Sequence, residues 1–289
     1  MSVWLPSAPC TPSGCATHHS TVAGRATAVV RLVAGIVTVL AGLLIGPVVA
    51  LLATVFGTRF RHFMTRLWAR AVVRAFGVRI RIVGRPYAPR GSLVVANHIS
   101  WLDIPLIAAA LPGRMLAKTE VRHWPLLGPL AARGGTFFVE RDRLRTLPGT
   151  VREMASALEG GARVIAFPEG STWCGREQGR FRHAVFQSAL DAGASVQPLR
   201  ITYLPTGAAA FVGEDSLPAS LWRVVTAGEL TAEIRLLPAI PAGSHPDRRS
   251  LARAAQRAVE RDSANLPSVS VHQFVNSSPA SASSVRTPS

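Results

Sequence analysis

Lysine is nearly absent from this 289-residue sequence, and acidic residues are scarce. A single lysine, Lys118, joins an arginine-dominated set of 32 basic side chains against 16 acidic ones, which gives a formal net charge of +16 at pH 7. So large a charge attracts anions such as nucleic acid, anionic lipid, coenzyme A phosphates or an acidic carrier protein. A hydrophobic share of 48% disfavours a nucleic-acid binder and is typical of a membrane-associated protein.

Cysteine is also scarce, with Cys10, Cys15 and Cys174 as the whole set. Two of these three cysteines lie in the N-terminal segment, which is expected to be disordered, so the sequence predicts no disulfide framework. Cys10 and Cys15 have no histidine or cysteine at the spacing of a metal motif, and we expect Cys174 to be incidental. The sequence therefore predicts no metal site and no bound cofactor. A Gly-x-Ser-x-Gly elbow is missing too, which disfavours a hydrolase with a serine nucleophile.

Charged residues are missing from Leu32 to Phe56, a long apolar stretch near the N-terminus. As a helix the stretch would measure roughly 37 Å, enough to cross a hydrocarbon core of about 30 Å when tilted. It starts too far into the chain and runs too long for a secretory signal. Gly46-Pro47 near its middle leaves two arrangements open, a kinked spanning helix or the bend of a re-entrant hairpin.

A basic amphipathic segment follows the apolar stretch. Arg66, Arg70 and Arg74 recur every four residues and share one helical face, while apolar residues fill much of the rest. This pattern is typical of a helix in the lipid headgroup layer, with a solvated surface helix as the alternative. Fewer positive charges precede the apolar stretch than follow it, so the positive-inside bias predicts a cell-membrane protein whose C-terminal bulk lies on the cytoplasmic side.

From Val78 onward, short apolar runs alternate with helical patterns, which predicts an α/β fold. Polar motifs follow three of the strand-like runs: Asn97-His98 after "LVVA", Glu140-Arg141 after "FFV", and residues 167–172 after "VIA". In open α/β sheets, ligands bind beyond the carboxyl ends of the strands. We therefore expect these motifs to converge on one cleft.

The first of these motifs, "NHISWLD", supports two interpretations. Ser100 and Asp103 have the spacing of a helix capping box, which alone would leave His98 without a role. Alternatively, His98 folds back from its loop over the first helical turn, and Asp103 holds one ring nitrogen so that the other acts as a general base on a hydroxyl. This segment by itself does not decide between them.

Four ordered blocks, "NHISWLD", "GTFFVER", "FPEGST" and "VQPLRI", resemble the motifs of the glycerolipid acyltransferases, of which the 1-acylglycerol-3-phosphate acyltransferases are members. The resemblance covers residues 60–240. It implies a mixed sheet flanked by helices, behind a membrane-embedded helical segment and a basic amphipathic helix. We accordingly assign residues 25–77 to the membrane anchor with its interfacial helix and residues 78–262 to the acyltransferase domain. Residues 1–24 and 263–289, rich in Ser, Thr, Pro and Ala, are expected to be disordered.

The resemblance implies that His98 is the general base and that Asp103 orients it. The reaction would transfer a fatty acyl group from acyl-CoA or acyl carrier protein to the hydroxyl of a lysophospholipid. The leading acceptor is 1-acyl-sn-glycerol 3-phosphate, which would give phosphatidate. Membrane lipids are the other expected partners, and nucleic acid is not.

The second and third blocks would bind the acceptor. By resemblance, Arg141 would grip its phosphate, and Glu169, Gly170 and Ser171 would contact its glycerol portion. The family's third block usually carries an arginine that this sequence replaces with threonine, Thr172. That departure leaves open another lyso-lipid acceptor, such as lyso-ornithine lipid.

Three nearby arginines could replace the missing one: Arg176, Arg180 and Arg182. Two further hypotheses belong to other classes. One is a basic membrane protein without enzymatic activity that binds anionic lipid or nucleic acid, and the other is a lipid-ester hydrolase that uses His98 and Asp103.

Overall fold

The computed structural model describes residues 8–16, 21–85, 91–125, 127–140 and 144–264. These ranges contain eight α-helices: α1 (Pro12–Cys15), α2 (Arg25–Ala75), α3 (Asp103–Ala110), α4 (Leu127–Arg133), α5 (Leu147–Glu159), α6 (Phe186–Asp191), α7 (Leu217–Thr226) and α8 (Arg248–Ala264). They also contain seven strands: β1 (Val78–Val83), β2 (Ser92–Ala96), β3 (Arg114–Lys118), β4 (Phe137–Val139), β5 (Val164–Ala166), β6 (Ser195–Leu204) and β7 (Leu230–Leu236). Short 3₁₀ turns cover Thr119–His123, Leu144–Thr146 and Ala242–Ser244.

The strands form one seven-stranded sheet in the order β1-β7-β6-β2-β5-β3-β4. Five neighbours, from β6 to β4, run parallel. Strand β7 is antiparallel to β6, and β1 pairs parallel with β7. The predicted α/β fold, a mixed sheet flanked by helices, is confirmed.

The central strand β2 shows why both faces of the sheet are covered. Its side chains are fully buried along its length, as an uninterrupted apolar run requires. Val94 and Ala96 face a core shared with α2, α3 and α7, whereas Leu93 and Val95 face a second core shared with α5, α6 and α8. Alternation along a strand therefore gives each helical layer its own apolar surface.

Helix α2 is a hairpin of two arms. The backbone leaves the helical region at Gly57, where φ is 79° and ψ is 179°. The arms then pack against each other, since the Trp68 indole N–H donates to the Thr38 carbonyl at 2.8 Å. A Cβ on Gly42 would lie 2.2 Å from the Trp68 ring, so only glycine permits this approach. The helix continues through Pro47, so the bend considered at Gly46-Pro47 lies at Gly57 instead.

The apolar stretch lies in the first arm of this hairpin. Within the described residues, α2 is the one helix long and apolar enough to cross a membrane, judged by length and composition. Its first arm exposes many large apolar side chains, among them Val37, Leu44, Leu51 and Val55. An exposed apolar surface of this kind is typical of contact with lipid.

Part of the N-terminal segment is ordered. Residues 8–16 pack on the domain and bury Cys10, and Val22 forms an antiparallel bridge with Ala227. The expectation of disorder is wrong for these residues, because backbone hydrogen bonds and small side chains hold a segment that has few large apolar residues. Residues 1–7, 17–20 and 265–289, which were also expected to be disordered, lie outside the described residues.

Candidate active site

The carboxyl ends of the parallel strands meet at one edge of the sheet. His98 follows β2, Gly170 follows β5, and Lys118 ends β3. All three line one cavity of about 2240 Å³, together with Glu140, which follows β4. The first and third motifs therefore converge as predicted, whereas Arg141 lies outside the described residues.

The side chain of Asn97 ends strand β2, which runs to Ala96. Its side-chain amide donates to the carbonyl of Ile201 at 2.9 Å, and its side-chain oxygen accepts the N–H of the same residue at 2.8 Å. The side chain thus replaces one rung of the ladder between β2 and β6. The next residue, His98, is free to turn away from the sheet towards the cavity.

The imidazole of His98 is held on two sides. Its Nδ1 lies 2.8 Å from Oδ2 of Asp103. Its ring stacks on the ring of Phe167, with centroids 4.0 Å apart and planes 14° from parallel. The side chain remains 20% exposed and lines the cavity, so Nε2 is the ring nitrogen available to a substrate.

Asp103 is fully buried and surrounded by donors. Oδ2 accepts the backbone N–H groups of Ile99 at 2.7 Å and Ser100 at 2.9 Å in addition to His98. Oδ1 accepts the hydroxyl of Tyr203 at 2.7 Å. The predicted capping box is formed only in half: Asp103 accepts the N–H of Ser100, but the Ser100 hydroxyl accepts the N–H of Leu102 at 3.3 Å, and no side chain among the described residues caps α3. The Asp103 carboxylate thus organises the turn and also holds the imidazole.

Tyr203 is a site residue that the sequence did not reveal. It lies in β6 and is buried. Burial, followed by the negative charge of Asp103, raises the pKa of its hydroxyl well above the usual value. The phenol therefore keeps its proton and acts as a permanent donor to Asp103.

The carboxyl group of Glu169 accepts two backbone N–H groups. Oε2 accepts the N–H of His98 at 2.7 Å, and Oε1 accepts the N–H of Gly179 at 3.0 Å. Only 4% of the residue is exposed. Burial raises the pKa of the Glu169 carboxyl group to about 8. The two N–H donors lower this pKa, and the negative charge of Asp103 raises it. The carboxyl group predicted to bind the acceptor is thus occupied in joining the His98 loop to the third motif.

The rest of the third motif continues along the His98 loop. Gly170 and Ser171 line the cavity. The Thr172 hydroxyl donates to the carbonyl of Phe211, and the N–H of Trp173 donates to the carbonyl of His98 at 2.7 Å. Thr172, which replaces the family's arginine, therefore has a structural partner.

Cationic side chains line the same cavity. Lys118 and Arg182 are among them, and the N–H of Arg182 donates to the carbonyl of Pro168 at 2.9 Å, which places Arg182 beside the third motif. Arg176 differs, because its guanidinium reaches the carbonyl of Gly14 in the N-terminal segment at 3.5 Å. Of the three arginines considered as substitutes for the missing one, Arg182 lines the cavity.

Comparison with known proteins adds three findings. A family model described as Acyltransferase matches residues 79–202. A lyso-ornithine lipid O-acyltransferase of Pseudomonas aeruginosa is 39% identical over 211 residues, covering 70% of this chain and 79% of that protein. A 1-acyl-sn-glycerol-3-phosphate acyltransferase of Neisseria meningitidis serogroup B is 36% identical over 206 residues, covering 68% of this chain and 80% of that protein.

A solved structure shares the fold. The 1-acyl-sn-glycerophosphate (LPA) acyltransferase PlsC of Thermotoga maritima superposes with a TM-score of 0.54. The match covers 82% of this chain and 98% of that one at 22% sequence identity. At this identity the likeness concerns the architecture alone.

Proposed function

Because this chain belongs to the acyltransferase family, we propose that it transfers a fatty acyl group from an acyl thioester to the hydroxyl of a lysophospholipid, with His98 as the general base. The observation that carries the proposal is the 2.8 Å contact between His98 Nδ1 and Asp103 Oδ2 at the wall of a large cavity. The buried carboxylate fixes the tautomer with hydrogen on Nδ1, which leaves Nε2 as the proton acceptor.

In the proposed reaction, Nε2 of His98 takes the proton of the acceptor hydroxyl as its oxygen attacks the thioester carbonyl. The tetrahedral intermediate collapses, the carbon–sulfur bond breaks, and the imidazolium returns the proton to the departing thiolate. Asp103 stabilises the transient imidazolium. A positioned base of this kind contributes about 10²–10⁴-fold to the rate.

Glu169 acts in this proposal as a positioning residue. Its contacts to the N–H groups of His98 and Gly179 hold the catalytic loop against the third motif. Contact with the acceptor then falls to Gly170 and Ser171, which line the cavity. Arg141 remains a predicted phosphate ligand, and this prediction rests on the resemblance of its motif alone.

The acceptor favoured by the charge of the cavity is 1-acyl-sn-glycerol 3-phosphate, which would yield phosphatidate. Lys118 and Arg182 both line the cavity and supply positive charge for a phosphate. Lyso-ornithine lipid is a second candidate, favoured by Thr172 at the third motif and by the similarity to the P. aeruginosa enzyme. The donor is acyl-CoA or acyl carrier protein, both of which suit a protein with a net charge of +16.

Membrane attachment through α2 fits this chemistry. The cavity extends from His98 to residues of both arms of α2, including Leu43, Met64 and Trp68. Acyl chains leaving the catalytic centre would therefore meet an apolar wall continuous with the lipid-facing first arm. The excess of arginine after the apolar stretch supports a catalytic domain on the cytoplasmic side of the cell membrane.

The test is lysolipid acylation by purified protein in detergent, with product identified by mass spectrometry. Acyl-CoA and acyl carrier protein are each combined with lysophosphatidate, lyso-ornithine lipid and lysophosphatidylcholine. We expect phosphatidate as the principal product, and the inactive variant His98→Ala provides the background. Acylation of lyso-ornithine lipid alone would overturn the proposed acceptor and support the second candidate. No acyl transfer with any pair would overturn both.

A further inference from the structure

All three cysteines of the chain meet at one point in the structure. Cys10 precedes α1 and Cys15 is the last residue of that helix, whereas Cys174 lies just beyond the third motif, far away in the sequence. Their three Sγ atoms all lie within 4.8 Å of one another. Cys10 and Cys174 are buried and Cys15 is half-buried. Spacing in the sequence gives no sign of this cluster, because the third member comes from a distant loop.

The arrangement matches a thiolate metal site better than a disulfide. In a tetrahedral zinc site with Zn–S bonds of about 2.3 Å, neighbouring sulfur atoms lie about 3.8 Å apart. A disulfide would join two of the three sulfur atoms at about 2.05 Å and leave the third unpaired in the interior. All three cysteines are free thiols in the structure.

The backbone around Cys174 provides an independent observation. The N–H groups of Arg176 and Glu177, two and three residues further on, both donate to the Cys174 sulfur. Gly175 makes the turn possible with a φ of +84°. The N–H of Cys174 donates in turn to the sulfur of Cys10. Backbone amide groups beside a sulfur help to orient it, as the supporting groups of metal ligands do.

We propose that Cys10, Cys15 and Cys174 bind one zinc ion, with a solvent molecule as the fourth ligand on the half-buried side of Cys15. Zinc suits the set because it prefers soft thiolate ligands in a tetrahedral arrangement. The strongly basic chain favours three thiolates around one divalent ion, an assembly with a net charge of −1.

The ion would fasten the N-terminal segment to the loop that supports the catalytic histidine. Cys174 directly follows Trp173, whose N–H donates to the carbonyl of His98. On the other side, the carbonyl of Gly14 accepts from Arg176. The site is therefore structural, and it stands or falls independently of the acyl acceptor and of the reaction proposed above.

The test measures metal directly. Full-length protein is purified in detergent, equilibrated with zinc sulfate and freed of excess metal, and zinc is measured by plasma mass spectrometry. We expect about one zinc ion per chain for wild type and less than about a tenth of that for each of C10S, C15S and C174S. Ser13→Ala, an exposed change in the same segment, is the matched control and should bind as wild type does.

Because a Cys→Ser variant could lose zinc by failing to fold, two further measurements use wild-type protein alone. Cobalt substitution should give an intense tetrahedral d–d spectrum with thiolate charge-transfer bands. All three thiols should resist a thiol reagent until a chelator is added. Zinc content that is the same in wild type and Cys→Ser variants would overturn the proposal. So would three reactive thiols in zinc-equilibrated wild type, or a mass lower by two hydrogen atoms, which indicates a disulfide.

Discussion

The hydroxyl of Tyr203 donates a 2.7 Å hydrogen bond to Oδ1 of Asp103, the oxygen that His98 does not contact. A buried carboxylate needs hydrogen-bond donors on both oxygens, because unsatisfied polar atoms are costly in the interior. Tyr203 lies in β6 and Asp103 begins α3, so this bond ties the turn after β2 to a neighbouring strand of the sheet. The orientation of the imidazole therefore depends on a residue outside the motif.

Replacing Tyr203 with phenylalanine removes that donor while keeping the ring. We expect kcat to fall about 10- to 100-fold with little change in KM for either substrate, because a hydrogen bond to a charged group is worth about 1.5–3 kcal/mol. Steady-state kinetics with thermal unfolding checks this. A kcat within about twofold of wild type would show that Asp103 is positioned without Tyr203.

The proton on Glu169 makes stability depend on pH. In the folded protein its pKa lies at about 8, whereas its ordinary value is 4.5. Between these values the folded state binds more protons than the unfolded state, so this group lowers the free energy of unfolding as pH rises. The stability advantage of wild type over Glu169→Gln should therefore shrink between pH 5 and pH 9.

Thermal unfolding of both proteins in the same detergent measures this difference, and the subtraction cancels other titrating groups. An advantage that is constant across the range, or that grows with pH, would contradict the raised pKa. The substitution should also lower kcat, because an amide cannot accept N–H bonds on both of its terminal atoms.

The helical hairpin offers two glycines on one arm for comparison. A Cβ at Gly42 would clash with the Trp68 ring, whereas a Cβ at Gly46 would meet nothing within 4 Å. We expect Gly42→Ala to destabilise the protein by about 1–3 kcal/mol through overpacking. Gly46→Ala should be neutral or stabilising by up to about 1 kcal/mol, since alanine favours the helix. Chemical denaturation in detergent distinguishes them, and equal stabilities would mean that the arms do not pack as described.

The cations of the cavity are expected to select the acceptor. Lys118→Ala and Arg182→Ala should each lower kcat/KM for lysophosphatidate by about 10- to 100-fold, because each removes a charged partner of the phosphate. The loss should be smaller with lysophosphatidylcholine, whose phosphate is already esterified to a cationic group. Arg79→Ala serves as control, since Arg79 is exposed on β1 and paired with Glu229. Equal losses with both acceptors would argue against phosphate recognition.

The contact between His98 and Asp103 could be predicted from the sequence because the two residues are local. His98 and Asp103 are separated by one turn, and an apolar run followed by a helix-start signal is visible without any tertiary information. The mixed sheet and the position of the motifs at strand ends followed from the same reasoning together with the family resemblance.

Residues that depend on long-range packing were missed. Strand β3 contains no β-branched residue, so neither it nor Lys118 at its end was recognised. Tyr203 reaches Asp103 across neighbouring elements, and Cys174 meets Cys10 from a loop that is distant in the sequence. Glu169 was expected to face substrate, because a motif shows which residues occur but not which backbone groups surround a carboxylate.

The most direct test of His98 as general base is the rate of acyl transfer by His98→Ala at saturating donor and acceptor. We expect the rate to fall by about 10²–10⁴-fold, with acceptor binding and thermal stability preserved. His245→Ala, a change in the loop before α8, should keep the wild-type rate. Near-normal turnover by folded His98→Ala protein would contradict the mechanism.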